Sequence, residues 1–275
     1  MKAEMTPEPI RRSALRLRLG GLALCWRRRL LWHTGGLRFA RPRPEVECPY
    51  LRAEHATPLL RRLRGEDMAL QRSKVTNLRL AAARLDGLTL RPGETLSFWR
   101  AVGKPTRRRG YVEGMILRNG RVASGVGGGL CQMTNLLYWM TLHTPLTRHP
   151  SRWRHGYDVF PDSNRTQPFG SGATCFYNYM DLMVRNDTPD TWRLVLQVTD
   201  THLEGEWRAD GPQTCRYEVY EKEHEIRGEY WGGFTRHNTL FRRVLGMDGA
   251  ELGEEFITEN HAIMMYNPML EETAP

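Results

Sequence analysis

The chain has 275 residues, 40% of them hydrophobic, which is enough for one large domain or a domain with an appendage. Its net charge is +9, and residues 1–43 alone hold eleven basic and two acidic residues, a difference that equals the whole excess. The remaining chain is formally neutral. This distribution argues against a domain that reads DNA or RNA and favours an arm that meets an anionic surface.

The first predicted segment is this basic arm, residues 1–43, followed by a folded domain over residues 44–275. The longest uncharged run of the arm, residues 19–26, is too short to span a bilayer, and no small-x-small cleavage pattern follows it. We therefore expect neither a cleavable signal peptide nor a transmembrane helix, which favours a cytoplasmic or membrane-peripheral location. Leucine, tryptophan and arginine together suit an anionic membrane surface, although Gly20 and Gly21 weaken a helix. The alternative is a basic, partly ordered arm that packs on the domain or has no function of its own.

The predicted elements continue with a helix over residues 75–86 that stops at Gly87. Short strands are predicted at 88–90 and 95–99, on either side of a turn at 91–94. Further strands are predicted as a hairpin of 115–117 with 121–123 across Asn119-Gly120, an antiparallel pair of 180–184 with 192–198, and several strands after Cys215 with turns at Gly232-Gly233 and Asp248-Gly249.

The most informative motif is the stretch SGVGGGLCQMTN at residues 124–135, a glycine-rich loop that ends in Cys131. From Cys131 to Leu142 there is no glycine or proline, and apolar residues recur at helical spacing. Cys131 therefore lies in the first turn of a predicted helix, where free N–H groups lower a thiol pKa. The fold class expected from these elements is α+β, with a mostly antiparallel sheet packed on this central helix.

The five cysteines of the chain do not form a disulfide framework. They are irregularly spaced and include no CxxC pair: Cys25, Cys48, Cys131, Cys175 and Cys215. The histidines and cysteines form no compact ligand motif either, so no metal and no other cofactor is expected. A lone cysteine beside leucine and methionine is usually a core residue, and burial is the alternative to a reactive Cys131.

Three sequence blocks stand in a fixed order along the chain: RPGETLSFW at 91–99, GGGLCQMTNLLYWMTLHTPLT at 127–147 and DLMVRNDT at 181–188. They resemble the VanW family, which is named for an accessory protein encoded in some glycopeptide-resistance gene clusters. Some relatives are cell-wall-associated and are thought to be L,D-transpeptidases that cross-link peptidoglycan stem peptides through a cysteine acyl-enzyme. The resemblance implies that Cys131 is the nucleophile.

A thiolate nucleophile needs a base, and the base needs an orienting group. His143, at the far end of the predicted helix, is too distant from Cys131. The resemblance includes a histidine near residue 155, so His155 is the predicted base, with Asp158 and Asp181 as carboxylates that could orient it. Family members commonly show Asp-Ala-Thr where this chain has Gly172-Ala173-Thr174, so one residue that could orient the histidine or bind substrate is replaced here.

The predicted substrate-binding residues surround the cysteine in sequence. Gln132, or the backbone N–H groups at the helix start, could hold an oxyanion, and Arg152 and Arg154 could bind a substrate carboxylate. The full set is Gly127, Gly128, Gly129, Gln132, Asn135, Arg152 and Arg154. We predict a cysteine acyl-transfer enzyme that acts on peptidoglycan stem peptides or precursors. The alternative is a non-catalytic accessory or binding module for such precursors or for a membrane partner.

Overall fold

The computed structural model describes residues 13–60, 68–118, 121–148, 156–159 and 167–269. The helices are α1 Ala14–Thr34, α2 Met68–Leu85, α3 Phe98–Val102 and α4 Cys131–Leu142, with one 3-10 turn at Arg107–Arg109. The strands are β1 Arg38–Phe39, β2 Arg41–Pro42, β3 Tyr50–Pro58, β4 Leu88–Leu90, β5 Glu94–Ser97, β6 Glu113–Arg118, β7 Arg121–Val126, β8 Thr147–Arg148, β9 Tyr157–Asp158, β10 Met183–Arg185, β11 Trp192–Val198, β12 His202–Ala209, β13 Cys215–Gly228, β14 Phe234–Gly246 and β15 Glu251–Met264. The predicted α+β class is confirmed.

These strands form three sheets and one separate hairpin. The central sheet has the order β2-β4-β11-β12-β3, the second β1-β5-β10-β8 and the third β13-β14-β15-β9, while β6 and β7 pair with each other. Among the described strands, the pairs β1 with β5 and β9 with β15 are parallel and the other pairs are antiparallel. The sheets are therefore mostly antiparallel, as the sequence predicts.

Helix α4 is the packing centre of the domain. Met133, Leu136, Leu137 and Met140 are almost completely buried, and the helix packs on β3 and β12 of the central sheet. At Gly205 of β12, a Cβ atom would lie 2.8 Å from the Met140 terminal carbon, so glycine lets the helix approach the strand closely. Each buried leucine stabilises this contact by roughly 1.5–3 kcal/mol. The predicted helix from Cys131 to Leu142 is confirmed.

Several local predictions also hold. Helix α2 ends at Leu85, just before Gly87 at φ +73°, although it begins earlier than predicted, at Met68. The predicted pairing of 115–117 with the strand that begins at 121 is found in the β6–β7 hairpin, where Ile116 lies opposite Ala123. The predicted strands after Cys215 are the long strands β13, β14 and β15.

The prediction of a strand over residues 95–99 is wrong at its end, because Phe98 and Trp99 begin helix α3. The Asp181 carboxylate accepts a hydrogen bond of 2.8 Å from the Trp99 backbone N–H, and the Ser97 hydroxyl accepts one of 3.4 Å from the Arg100 N–H. These two oxygens satisfy N–H groups at the start of the helix. The helix depends on a residue more than eighty positions away, which local sequence could not reveal.

The predicted pairing of 180–184 with 192–198 is also wrong. Strand β10 pairs with β5 and β8, whereas β11 pairs with β12 and β4, so the two strands lie in different sheets. The Asn186 side chain donates hydrogen bonds to the Leu90 carbonyl at 3.0 Å and the Asp190 carbonyl at 2.7 Å. These hydrogen bonds hold the segment between β10 and β11 so that it passes from one sheet to another instead of forming a hairpin turn.

The basic arm forms regular structure where it is described. Helix α1 continues through Gly20 and Gly21, and the short strands after it pair with β5 and β4. Arg43 forms an ion pair of 2.6 Å with Glu94, so the end of the arm is tied to the sheets. Within the described ranges, no helix is both long enough and apolar enough to cross a bilayer.

Candidate functional site

The glycine-rich loop before α4 is a tightly bonded structure. Gly127 and Gly129 have φ angles of +80° and +89°, which favour glycine. The backbone N–H groups of the three glycines all donate to backbone carbonyls. Gly127 donates to Val112 at 2.9 Å, Gly128 to Gly125 at 3.0 Å, and Gly129 to Met115 at 2.8 Å. The N–H groups of the loop therefore hold the loop on the β6–β7 hairpin.

Gly128 is required by a close approach of two backbones. A Cβ atom at this position would lie 2.1 Å from the carbonyl carbon of Gly114. The Asn77 side chain of α2 donates to the carbonyls of Gly128 at 2.9 Å and Val112 at 3.0 Å and so holds the loop from the other side. The three glycines thus have a packing explanation. Their part in a substrate groove stays a prediction.

Cys131 is the first residue of α4 and lies beside a second cysteine. The residue as a whole is half-buried, and its sulfur stands 3.7 Å from the sulfur of Cys175 and 3.8 Å from the Cys175 carbonyl oxygen. Cys175 itself is buried. These two residues are called the thiol pair below. They place one thiol at the N-terminus of the central helix and a second thiol within hydrogen-bond distance of it.

The thiol pair shifts the pKa values of its two members in opposite directions. The hydrogen bond from the Cys175 thiol, opposed by burial, lowers the pKa of Cys131 to about 7, and backbone hydrogen bonds from Cys175 and from Cys131 itself add to this stabilisation. The same contact, together with burial, raises the pKa of Cys175 well above its usual range. As pH rises through about 7 the pair therefore acquires one negative charge, on Cys131, while Cys175 stays protonated. The neighbouring thiol, rather than the helix N-terminus alone, is the main cause.

Two residues of α4 fix the segment that carries Cys175. The Asn135 side-chain oxygen accepts a hydrogen bond of 2.8 Å from the Ala173 N–H, and the Thr134 hydroxyl donates one of 2.6 Å to the Ala173 carbonyl. Asn135, predicted to bind substrate, thus helps to position the segment that carries Cys175. Since Asn135 is one turn beyond Cys131, the same helix places both thiols.

Gln132 holds α4 against the edge strand β3. Its side-chain nitrogen donates to the Thr57 hydroxyl and the Pro58 carbonyl, both at 2.9 Å, and its backbone N–H donates to the Gly129 carbonyl at 3.1 Å. Either donor would have to leave its present partner to bind an oxyanion. The backbone N–H of Cys131 is the other donor predicted at this point of the helix.

Asp181, a predicted orienting carboxylate, is completely buried at the start of α3. It accepts hydrogen bonds from the Ser97 hydroxyl at 2.5 Å and from the Trp99 N–H at 2.8 Å. Burial nevertheless raises its pKa to about 6, although these two bonds and the Arg28 charge act to lower it. The structure gives this carboxylate a role in helix capping.

Asp158, the other predicted orienting carboxylate, lies on β9 at the edge of the third sheet. It is buried, forms an ion pair of 3.3 Å with Arg236 and accepts a hydrogen bond of 2.9 Å from the Tyr266 hydroxyl. His155, Arg152 and Arg154 lie outside the described residues, so their predicted roles stay predictions. His143, set aside because of distance, lies at the C-terminal end of α4, where burial lowers its pKa.

Cys175 is the site residue that sequence reasoning missed. It follows directly on the Gly172-Ala173-Thr174 segment, at a position 44 residues from Cys131. Nothing in the spacing of the five cysteines indicates this pairing. The only available signal was its place beside a segment that differs from the family pattern.

The fold and the site define an α+β protein with a thiol pair at the start of its central helix. A family model described as "VanW like protein" matches residues 73–208, which include both thiols. The chain is 38% identical over 196 residues to the Vancomycin B-type resistance protein VanW of Enterococcus faecalis, an alignment that covers 70% of this chain and 71% of that protein. The chain belongs to the VanW-like protein family.

A second relative aligns with a much shorter part of the chain. The chain is 39% identical over 67 residues to the uncharacterized protein YoaR of Bacillus subtilis, across 24% of this chain and 22% of that protein. No solved structure matches the chain. The resemblance found in the three sequence blocks is confirmed at the level of the family.

Proposed function

We propose that this protein is a cysteine acyl-transfer enzyme acting on peptidoglycan stem peptides or their precursors, in the manner of an L,D-transpeptidase, in the context of glycopeptide resistance. The name of the Enterococcus relative, a vancomycin resistance protein, supports the context. The observation that carries the chemistry is the thiol pair, because it lowers the pKa of the Cys131 thiol to about 7. A thiolate populated at neutral pH is the form that attacks a carbonyl.

The proposed reaction has two steps. The Cys131 sulfur attacks the carbonyl carbon of a stem-peptide amide, and the C–N bond breaks as the leaving amine takes a proton, which leaves a thioester on Cys131. An acceptor amine or water then attacks the thioester, loses a proton and releases the thiolate. Transfer to an amine gives a cross-link, and transfer to water gives hydrolysis.

The proposal also gives roles to residues other than Cys131. His155 would give the proton to the leaving amine and take it back from the acceptor. Asp158 or Asp181 would orient His155, and Arg152 and Arg154 would bind a terminal carboxylate of the stem. Cys175 would stay protonated and donate its hydrogen bond to the Cys131 thiolate, which makes it a positioning residue.

A second candidate function is a non-catalytic accessory module for wall precursors or a membrane partner. One observation favours it: the loop N–H groups, the Gln132 side chain and the Asn135 side chain all have partners within the protein. In such a module these residues would shape a groove, and Cys131 would not react with the ligand.

The experiment compares Cys131→Ser with wild-type protein on tetrapeptide and pentapeptide stems, by release of a terminal D-amino acid or formation of a cross-linked dimer. Serine keeps nearly the same volume but its proton is far harder to remove, so turnover should fall by at least about 10³-fold while folding is kept. Cys215→Ser, a change of the same kind on strand β13, should leave turnover unchanged.

Full activity in Cys131→Ser would contradict covalent catalysis at this residue. Wild-type protein that binds stems but releases no product with any acceptor would favour the accessory module instead.

A further inference from the structure

Helix α1 exposes a straight row of large apolar side chains. Leu15, Leu19, Leu22, Trp26 and Leu30, called the apolar stripe below, are each between 57 and 67% exposed. Because an α-helix turns by about 100° per residue, these five positions fall within an arc of roughly 80°. The stripe runs over four turns of the helix on one side.

Arginines border the apolar stripe on both sides. Arg16 and Arg27 lie about 90° to one side of its centre, and Arg18 and Arg29 about 70° to the other. All four are exposed, and the Arg29 guanidinium lies 5.7 Å from the Trp26 ring centre. Residues 14–34 contain no acidic residue.

The other side of α1 packs on the protein. Cys25 donates to the Tyr177 carbonyl at 3.6 Å, Arg28 donates to the Tyr179 carbonyl at 3.3 Å, and Trp32 packs against the hydrophobic core. The helix therefore packs on the protein along one side, with Arg28 among the contacting residues, and exposes the apolar stripe on the other side.

We propose that the apolar stripe docks α1, lying flat, on the surface of an anionic lipid bilayer. The leucines and Trp26 would enter the boundary between headgroups and acyl chains, and the four arginines would reach the phosphates on either side. A second copy of the chain fits less well, since two stripes face to face would bring rows of arginines together without any acidic residue between them.

The docked helix would hold the thiol pair close to the lipid. The packed side of α1 contacts Tyr177 and Tyr179, which follow Cys175 by two and four residues. A site held there would meet substrates at the membrane surface. The docking itself does not depend on any reaction of Cys131.

The test uses full-length protein and sedimentation with vesicles of equal parts phosphatidylglycerol and phosphatidylcholine, compared with phosphatidylcholine alone. Wild-type protein should bind the anionic vesicles at least about tenfold more tightly, and added salt should weaken binding because it screens the arginines. The double variant Leu19→Gln, Trp26→Gln should lose at least about tenfold of that affinity.

The matched control is Leu24→Gln. This leucine is also exposed but lies on the far side of the helix from the stripe, so its replacement should leave vesicle binding unchanged. Equal melting temperatures for the three proteins would show that folding is intact.

Two results would overturn the proposal. One is wild-type protein that stays in the supernatant with anionic vesicles, or a double variant that sediments as wild type does. The other is a stable dimer in solution that the double variant dissociates, which would make the stripe an interface between copies of the chain.

Discussion

The thiol pair and the two buried carboxylates, Asp158 and Asp181, differ in the partners that surround their ionisable groups. Cys131 and Cys175 share one negative charge, and their contact lowers the pKa of the half-buried member. Asp158 instead has a full counter-charge in Arg236, and Asp181 caps a helix. The partners of the two aspartates belong to an ion pair and a helix cap, whereas the partner of Cys131 is a second thiol that stabilises its thiolate form. This difference makes Cys131 the candidate for reaction among the three groups.

The largest effect on stability should come from breaking the ion pair of the third sheet. Asp158→Asn removes the carboxylate charge that lies 3.3 Å from the Arg236 guanidinium, whose side chain is 4% exposed, so the free energy of unfolding should fall by up to about 3–5 kcal/mol. Urea denaturation measures this, and the alkylation rate of Cys131 should not change. The control is Asp187→Asn, which breaks an exposed pair with Arg185 and should cost less than about 1 kcal/mol. If Asp158→Asn lowers the free energy of unfolding by no more than the control does, the buried ion pair does not stabilise the fold.

A smaller, pH-dependent effect is expected at Asp181. Its pKa is raised to about 6 from an ordinary value of 3.8, so the folded protein binds this proton more tightly than the unfolded chain does. The stability that follows from this is fully present below about pH 4 and is lost as pH rises through 6, by up to about 3 kcal/mol. Asp181→Asn cannot titrate, so its destabilisation relative to wild type should be greater at pH 4 than at pH 7.

Denaturant melts of both proteins across this pH range measure the difference. A difference that stays constant with pH would contradict the raised pKa of Asp181.

The sequence predicts the elements whose signals are local. The helix at Cys131, the glycine stop of α2 and the hairpin across residues 119–120 follow from apolar spacing and turn residues, and all of them hold. The position of Cys131 at a helix start is a local property too. These features could be predicted because each depends on residues within a few positions of one another.

The failures share a long-range cause. Phe98 and Trp99 are helical because Asp181 caps them, and β10 and β11 separate because Asn186 bonds across two sheets. The contact of Cys131 with Cys175 depends on hydrogen bonds between α4 and Ala173. No spacing in the sequence encodes such contacts between distant segments.

The central claim is that Cys175 makes Cys131 a thiolate near neutral pH. The direct measurement is the rate of Cys131 alkylation by iodoacetamide against pH, followed by mass spectrometry, in wild type, Cys175→Ala and Cys175→Ser. The wild-type rate should have its midpoint near pH 7. Cys175→Ala removes the hydrogen-bond donor and should raise this midpoint by about one unit, equivalent to about 1.4 kcal/mol, while Cys175→Ser keeps a donor and should stay closer to wild type. A wild-type midpoint at the ordinary value of a free thiol, or one that Cys175→Ala leaves unchanged, would contradict the account.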